Sequence, residues 1–266
     1  MFLITGIIIA ALFLVSTSMP LLSWALPFYK IKKLENADFK TKAIANLVAI
    51  VAIGWIDINF LFPYLGIYIT IEVLYILFDK YGRKIEMYDR IFIISLIVGV
   101  LISGYLFFNK IGLNLSLENL KEIYVQKTEF SQREINLAFD FIRKNTLLLI
   151  FIYTNFTVFL TYYFLKKDSF LKWKVSYLWL VPYIVLFFVE KYSGINSMYI
   201  SNGVSIFKIV YALYFIKIIT GLLNRRVKKQ PICFIIAVIM TVLSPEFAFI
   251  FGALASGINI KVKVIK

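Results

Sequence analysis

The sequence predicts an all-α fold, a polytopic bundle of about seven or eight transmembrane helices that forms a single membrane domain over residues 1–266. Composition and the spacing of uncharged runs both indicate this. Hydrophobic residues make up 61% of the chain and charged residues 17%, too few to cover a core of this size in water. Uncharged runs of roughly 17–25 residues, the length that crosses a bilayer, recur along the chain. The lipid bilayer is therefore the predicted solvent and partner.

The predicted spans are the apolar runs between charged residues. They are 1–29, 43–56, 60–78, 91–108, 146–165, 175–189, 204–223 and 231–258. Pro20 and Pro27 interrupt the first run and Pro245 interrupts the last, and proline breaks or kinks a helix interior. Each end of the chain therefore holds either one crossing with a short interfacial piece or a re-entrant pair of helices.

Lysine and arginine are concentrated in alternate connections between these spans. Loops 30–42, 79–90, 166–174 and 225–230 hold 5, 4, 4 and 4 of them, and the tail from Lys261 holds 3, giving 20. These segments also hold 6 acidic residues, so their excess equals the net charge of +14. Because basic loops stay in the cytoplasm, we predict a multi-pass protein of the cell membrane with these loops inside. The charge then reflects orientation and does not indicate nucleic-acid binding.

The connection at 109–145 is polar and nearly neutral, and it falls on the opposite, extracytoplasmic side. Apolar side chains recur there at helical spacing, first at 113, 117, 120 and 124 and then at 135, 139 and 142. Ser131 and Glu134 form a capping-box pattern, which predicts a helix that starts there and runs into the span at Thr146. The pattern is typical of an amphipathic connector, which either lies on the membrane surface or covers an outward-facing cavity.

No pattern of catalytic residues is present. The chain has no His and one Cys, Cys233, which excludes a disulfide framework and argues against a zinc or iron site. There is no paired-acid motif, nucleophile elbow or phosphate loop. We therefore predict no enzymatic activity and no cofactor, although a membrane enzyme is a third hypothesis for function.

Ionisable side chains at membrane depth are the candidate substrate-binding residues, since each costs several kcal/mol unless paired or hydrated. The ionisable candidates are Glu72, Lys208, Lys217 and Glu246, and the polar residue Asn155 is added to them. Glu72 and Lys217 lie at similar depth and are predicted partners, unless Lys217 snorkels to the surface. Lys208 lies about 180° around the helix from Lys217 and cannot share its cavity. Glu246 follows the Pro245 break, where an unwound helix end could meet a ligand.

Gly6 and Ala10 form a small-residue step in the first helix, the pattern that lets helix backbones approach closely in lipid. They either pack inside the bundle or form a docking face for another protein.

Three short motifs resemble the YybS-like family of bacterial membrane proteins of unassigned function. They are MPLLSWALPFY at 19–29 before a basic segment, LFPY at 61–64 and LSPE at 243–246. The long polar connector at 109–145 fits the same layout. The resemblance covers nearly the whole chain.

That family is similar in layout to the substrate-binding (S) components of energy-coupling-factor transporters. The resemblance implies capture of a small molecule from outside, with transport driven by coupling and ATPase subunits that dock on Gly6 and Ala10. The predicted function is thus a transporter-like substrate-binding subunit. The alternative is a non-transporting scaffold for envelope or division proteins.

Overall fold

The computed structural model describes residues 2–192 and 197–258, and no strand occurs among them. The predicted all-α fold is confirmed. The helices of this part of the chain are α1 (Phe2–Ser18), α2 (Ala25–Leu34), α3 (Phe39–Ile56), α4 (Ile58–Lys80), α5 (Met87–Phe108), α6 (Lys110–Lys127), α7 (Gln132–Lys144), α8 (Thr146–Leu165), α9 (Leu180–Tyr192), α10 (Met198–Val227), α11 (Gln230–Leu243) and α12 (Pro245–Ile258).

Five helices in the described residues, α3, α4, α5, α8 and α10, are long and apolar enough to cross a membrane, and a sixth crossing results if α11 and α12 count as one span. This is the architecture of a multi-pass membrane protein. Helix α1 is apolar but has 17 residues. The predicted span 175–189 begins with a 3₁₀ turn, and α9 has 13 residues. At 1.5 Å per residue α9 is about 20 Å long, less than a bilayer core.

Helix α10 is the centre of one half of the bundle, where α9, α11 and α12 pack against it. In the other half α1 packs on α3, and α5 pairs with α8 between the two halves. The core is rich in aromatic rings, which pack edge to face against one another at several helix contacts. Its largest buried rings are Phe13, Tyr64, Tyr68, Tyr88, Phe92, Tyr162, Phe170, Tyr211 and Phe215.

The predicted break at Pro245 is confirmed. The axes of α11 and α12 differ by 114°, because Ser244 leaves the helical conformation at φ −141° and ψ 68°. Each arm has 14 residues, about 21 Å, which is too short to cross the hydrocarbon alone. Gly252 lies directly against the Tyr211 backbone carbonyl of α10.

The first apolar run also breaks where proline predicts it. Helix α1 ends at Ser18, and a 3₁₀ turn follows at Pro20–Leu22. Helix α2 begins after this turn and carries Pro27 in its first turn, where proline is tolerated. Helix α2 continues to Leu34 and buries one face. It therefore extends into the stretch 30–42 that the charge count assigned to a loop.

The connector forms a hairpin of α6 and α7. The Ser131–Glu134 capping box is confirmed at the start of α7, and an ion pair between Arg143 and Glu118 joins the two helices. The predicted continuous helix into the Thr146 span is wrong, because Asn145 adopts φ −109° and ψ 19° and separates α7 from α8.

Candidate functional site

Helix α4 is not α-helical throughout. It contains a π-helical turn at Tyr64–Ile69, directly after Pro63. The Thr70 hydroxyl donates a hydrogen bond to the Leu65 carbonyl at 3.1 Å, and the Thr70 backbone N–H reaches the same oxygen. Wider turns of this kind are frequent at functional sites. The buried face of α4 runs from the π turn into the segment that carries Glu72.

Glu72 forms a buried ion pair with Lys30 of α2. The Glu72 Oε2 and Lys30 Nζ atoms are 2.8 Å apart, and the side chains are 6% and 0% exposed. The predicted partnership of Glu72 with Lys217 is therefore wrong. Both charges are withdrawn from solvent, so each depends on the other for electrostatic compensation.

Two further side chains extend the pair into a polar arc of Glu72, Lys30, Tyr64 and Asn46. Lys30 Nζ donates to Tyr64 Oη at 3.3 Å and lies 5.1 Å from the Tyr64 ring centroid. Tyr64 Oη donates to Asn46 Oδ1 at 3.1 Å. The Asn46 amide donates in turn to the Lys42 carbonyl at 3.0 Å. The arc thus joins α2, α3 and α4 through hydrogen bonds.

Glu72 borders two cavities. One, the vestibule, has a volume of about 280 Å³ and charged walls that include Glu35, Asp79 and Arg83. The other, the lateral gap between α3 and α4, has a volume of about 420 Å³ and mostly apolar walls. Asn46 borders the lateral gap as well. Both ends of the polar arc therefore reach one cavity, while Lys30 and Tyr64 lie fully buried behind it.

No protein-family model, curated protein or solved structure matches this chain. The resemblance to the YybS-like family therefore stays a prediction.

Asn155 and Lys217 are buried away from the linings of these two cavities. Asn155 Nδ2 donates to Ser95 Oγ at 3.3 Å and so ties α8 to α5. Lys217 Nζ lies 4.9 Å from the ring centroid of Tyr214. Both contacts are internal to the bundle, and Lys217 has no carboxylate partner within ion-pair distance among the described residues.

Lys208 and Glu246 come together at the break between α11 and α12. Lys208 Nζ donates to both Glu246 carboxylate oxygens, at 2.8 and 3.0 Å. The pair is much more open than the Lys30–Glu72 pair, since the Glu246 side chain is 69% exposed. Glu246 at the broken helix therefore meets a lysine of the same chain, and the contact fixes α12 on α10.

Gly6 and Ala10 pack inside the bundle, which is one of the two alternatives for this step. A Cβ atom on Gly6 would lie 2.6 Å from Val48 Cβ and 2.9 Å from the Ala45 carbonyl of α3, and Ala10 is 5% exposed. These two positions therefore offer no free surface to a coupling subunit.

Lys30 and Tyr64 were not predicted as site residues, although for Lys30 a signal was present in the sequence. Leu26, Lys30 and Leu34 recur every four residues, as do Pro27 and Ile31, and all five are buried. Lys30 thus lies on the apolar face of an amphipathic helix. A lysine in that position predicts a buried partner, whereas a count of charges per loop treats it as solvated.

Proposed function

We propose that this chain is a transporter-like membrane protein that binds a small charged molecule at the polar arc. The observation that carries the proposal is the buried Lys30–Glu72 pair, whose carboxylate borders two cavities. Intramembrane ionisable residues are costly and typically line substrate or ion pathways.

The chemistry of the pair supports exchange with a ligand. A carboxylate or phosphate that enters the vestibule can take the place of Glu72 beside Lys30, while Glu72 turns toward the bases of the vestibule wall. The π turn next to the pair supports such a rearrangement, because α4 can change its register there without breaking the whole span. Tyr64 Oη accepts a hydrogen bond from Lys30 and can keep it during the exchange.

The orientation belongs to the same proposal. The vestibule lies at the end of α4 that leads into loop 79–90, so the site is near the predicted cytoplasmic face of a bacterial cell membrane, and residues 109–145 are outside. Coupling and ATPase subunits would drive transport from a surface other than Gly6 and Ala10. The exposed stripe of α1, which includes Leu3, Ile4 and Ile7, is available for that contact.

A scaffold role is the second candidate and has one observation in its favour. The α6–α7 hairpin encloses a mostly apolar groove of about 540 Å³, lined by residues such as Leu117, Tyr124 and Phe139. An amphipathic helix of an envelope protein could lie in such a groove.

Copurification of small molecules tests the proposal. The chain is purified from native membranes in a mild detergent, and aqueous and organic extracts are analysed by mass spectrometry. We expect a bound compound in the wild type and its loss in the Lys30→Met/Glu72→Gln double variant, which removes both charges together. The matched control is Lys208→Met/Glu246→Gln, which removes the open ion pair and should keep the compound. Identical extracts from all three proteins would contradict the proposal.

A further inference from the structure

The lateral gap lies between two membrane-spanning helices, α3 and α4, and opens between them. Its apolar walls come from α3 and α4 and are Phe39, Ala43, Ile69, Val73, Ile76 and Leu77. Phe39, Val73 and Leu77 are 86%, 48% and 45% exposed. Both helices are long and apolar enough to cross a membrane. The hydrocarbon of the bilayer therefore has direct access to the gap.

The vestibule adjoins the gap and has the opposite chemistry. Lys42, Glu72 and Ile76 border both spaces. The ionisable groups in the vestibule wall are three acids and three bases, namely Glu35, Lys42, Glu72, Asp79, Lys80 and Arg83. An apolar compartment thus leads into a charged one, and Glu72 lies at their junction.

The vestibule has a surplus of positive charge once its ion pairs are counted. Glu72 is compensated by Lys30, and Asp79 by Lys166 at 3.2 Å. Both lysine partners lie outside the vestibule wall. Glu35 then remains against three bases, which leaves two positive charges in excess. None of those three bases has a carboxylate within ion-pair distance among the residues that the structure describes.

We propose that the ligand of this site is an anionic phospholipid that enters sideways from the bilayer. Its acyl chain lies in the lateral gap, and its phosphate first binds in the vestibule beside Lys42, Lys80 and Arg83. From there it can exchange with Glu72 for the contact with Lys30. The inference rests on the proposed function and names the substrate class of the same polar arc. Apolar walls with a few convergent charges are the usual construction of a ligand pocket, and the volume of the gap lies within the ordinary range.

Lipid binding by the whole chain tests the inference. The protein in dodecyl maltoside micelles is titrated with palmitoyl-oleoyl phosphatidylglycerol or with palmitoyl-oleoyl phosphatidylcholine, and complexes are counted by native mass spectrometry. The two lipids share their chains and differ in net charge. We expect the anionic lipid to bind roughly thirtyfold more tightly, since two positive charges are in excess and each basic side chain contributes about 1 kcal/mol. Glycerol 1-phosphate, which has the head group and no chain, should not displace it.

Two variants separate the charged and apolar compartments. Lys80→Gln/Arg83→Gln should weaken phosphatidylglycerol binding about thirtyfold. The matched control Arg225→Gln/Arg226→Gln, which removes two charges from a different basic segment, should stay within about twofold. Ala43→Trp places a large ring in the gap and should weaken binding by obstructing the acyl chain. Leu47→Trp adds the same ring to an exposed position of α3 outside the gap and should not.

Equal losses in Lys80→Gln/Arg83→Gln and its control would overturn the inference, because the effect would then be general attraction to basic loops. Equal binding of the two lipids, or displacement by glycerol 1-phosphate, would also overturn it. The proposed function has a separate readout. If lipid selectivity is absent while a compound is still lost only in Lys30→Met/Glu72→Gln, the inference falls and the polar arc remains a ligand site.

Discussion

Replacing Gly252 by alanine should destabilise the bundle through a single backbone contact. A Cβ atom built on Gly252 lies 2.0 Å from the Tyr211 carbonyl oxygen and 2.7 Å from its carbonyl carbon. An ordinary C···O contact is about 3.3–3.6 Å, so α12 must move away from α10 by at least about 1 Å. The obstacle is backbone, which cannot turn aside as a side chain can.

The expected cost follows from two opposing terms. Overpacking a close contact costs about 1–3 kcal/mol, whereas glycine to alanine in an unobstructed helix interior gains up to about 1 kcal/mol. Gly104 of α5 is the matched control, since nothing lies within 4 Å of a Cβ atom built there. The helix gain is common to both substitutions and cancels, so we expect Gly252→Ala to be about 1–3 kcal/mol less stable than Gly104→Ala.

Unfolding of both variants by SDS in mixed micelles, followed by tryptophan fluorescence, measures this difference. The Lys208–Glu246 pair and the Phe215–Phe247 ring contact hold the same two helices together, so separation of the helices should loosen them too. If Gly252→Ala were as stable as Gly104→Ala, the close approach of α12 to α10 would be refuted.

Three further predictions concern other parts of the chain. Asp89→Ala removes the carboxylate that accepts hydrogen bonds from the Ser176 N–H and the Trp179 indole, at 2.9 and 3.0 Å. It should lower the free energy of unfolding by about 3 kcal/mol in the same assay, whereas Asp168→Ala at an exposed turn should lower it little. Hydrogen bonds from the Ser131 hydroxyl and backbone hold the pKa of Glu134 below its ordinary value, so its contribution to the cap is present at neutral pH and is lost as the pH falls through that lowered pKa. Ser131→Ala should speed hydrogen exchange at 132–136 roughly fivefold at pH 7, and an unchanged rate would argue against the cap. In a Cys233→Ser background, an impermeant thiol reagent should label a cysteine at 127 from outside but not one at 84 or 228, and the reverse pattern would invert the predicted topology.

Features that depend on a few neighbouring residues were predictable from the sequence. The capping box needs only Ser131 and Glu134, and the break before α12 needs only Pro245. The all-α fold follows because charge-free runs of sufficient length can satisfy their backbone in lipid only as helices or closed barrels. In each case the physical cause acts within one or two helical turns.

Partner choice for buried charges was not predictable in this way. Glu72 and Lys217 share a depth along their helices, but depth does not say which helices touch. The packing of α2 against α4 decides the matter, and it places Lys30 beside Glu72. The π turn in α4 leaves little trace in the sequence beyond Pro63, since its residues are tyrosine, leucine, isoleucine and one glycine, and glycine is itself frequent in transmembrane helices.

Double-mutant cycles measure whether Glu72 is compensated by Lys30. Glu72→Gln, Lys30→Met and Lys217→Met are compared singly and in pairs for stability in mixed micelles. Loss of one partner of a buried pair typically costs about 3–5 kcal/mol, while loss of both is often tolerated. We predict a coupling energy of about 3 kcal/mol for Glu72 with Lys30, and additivity within about 0.5 kcal/mol for Glu72 with Lys217. Additive losses for Glu72 and Lys30, or a larger coupling to Lys217, would contradict this account.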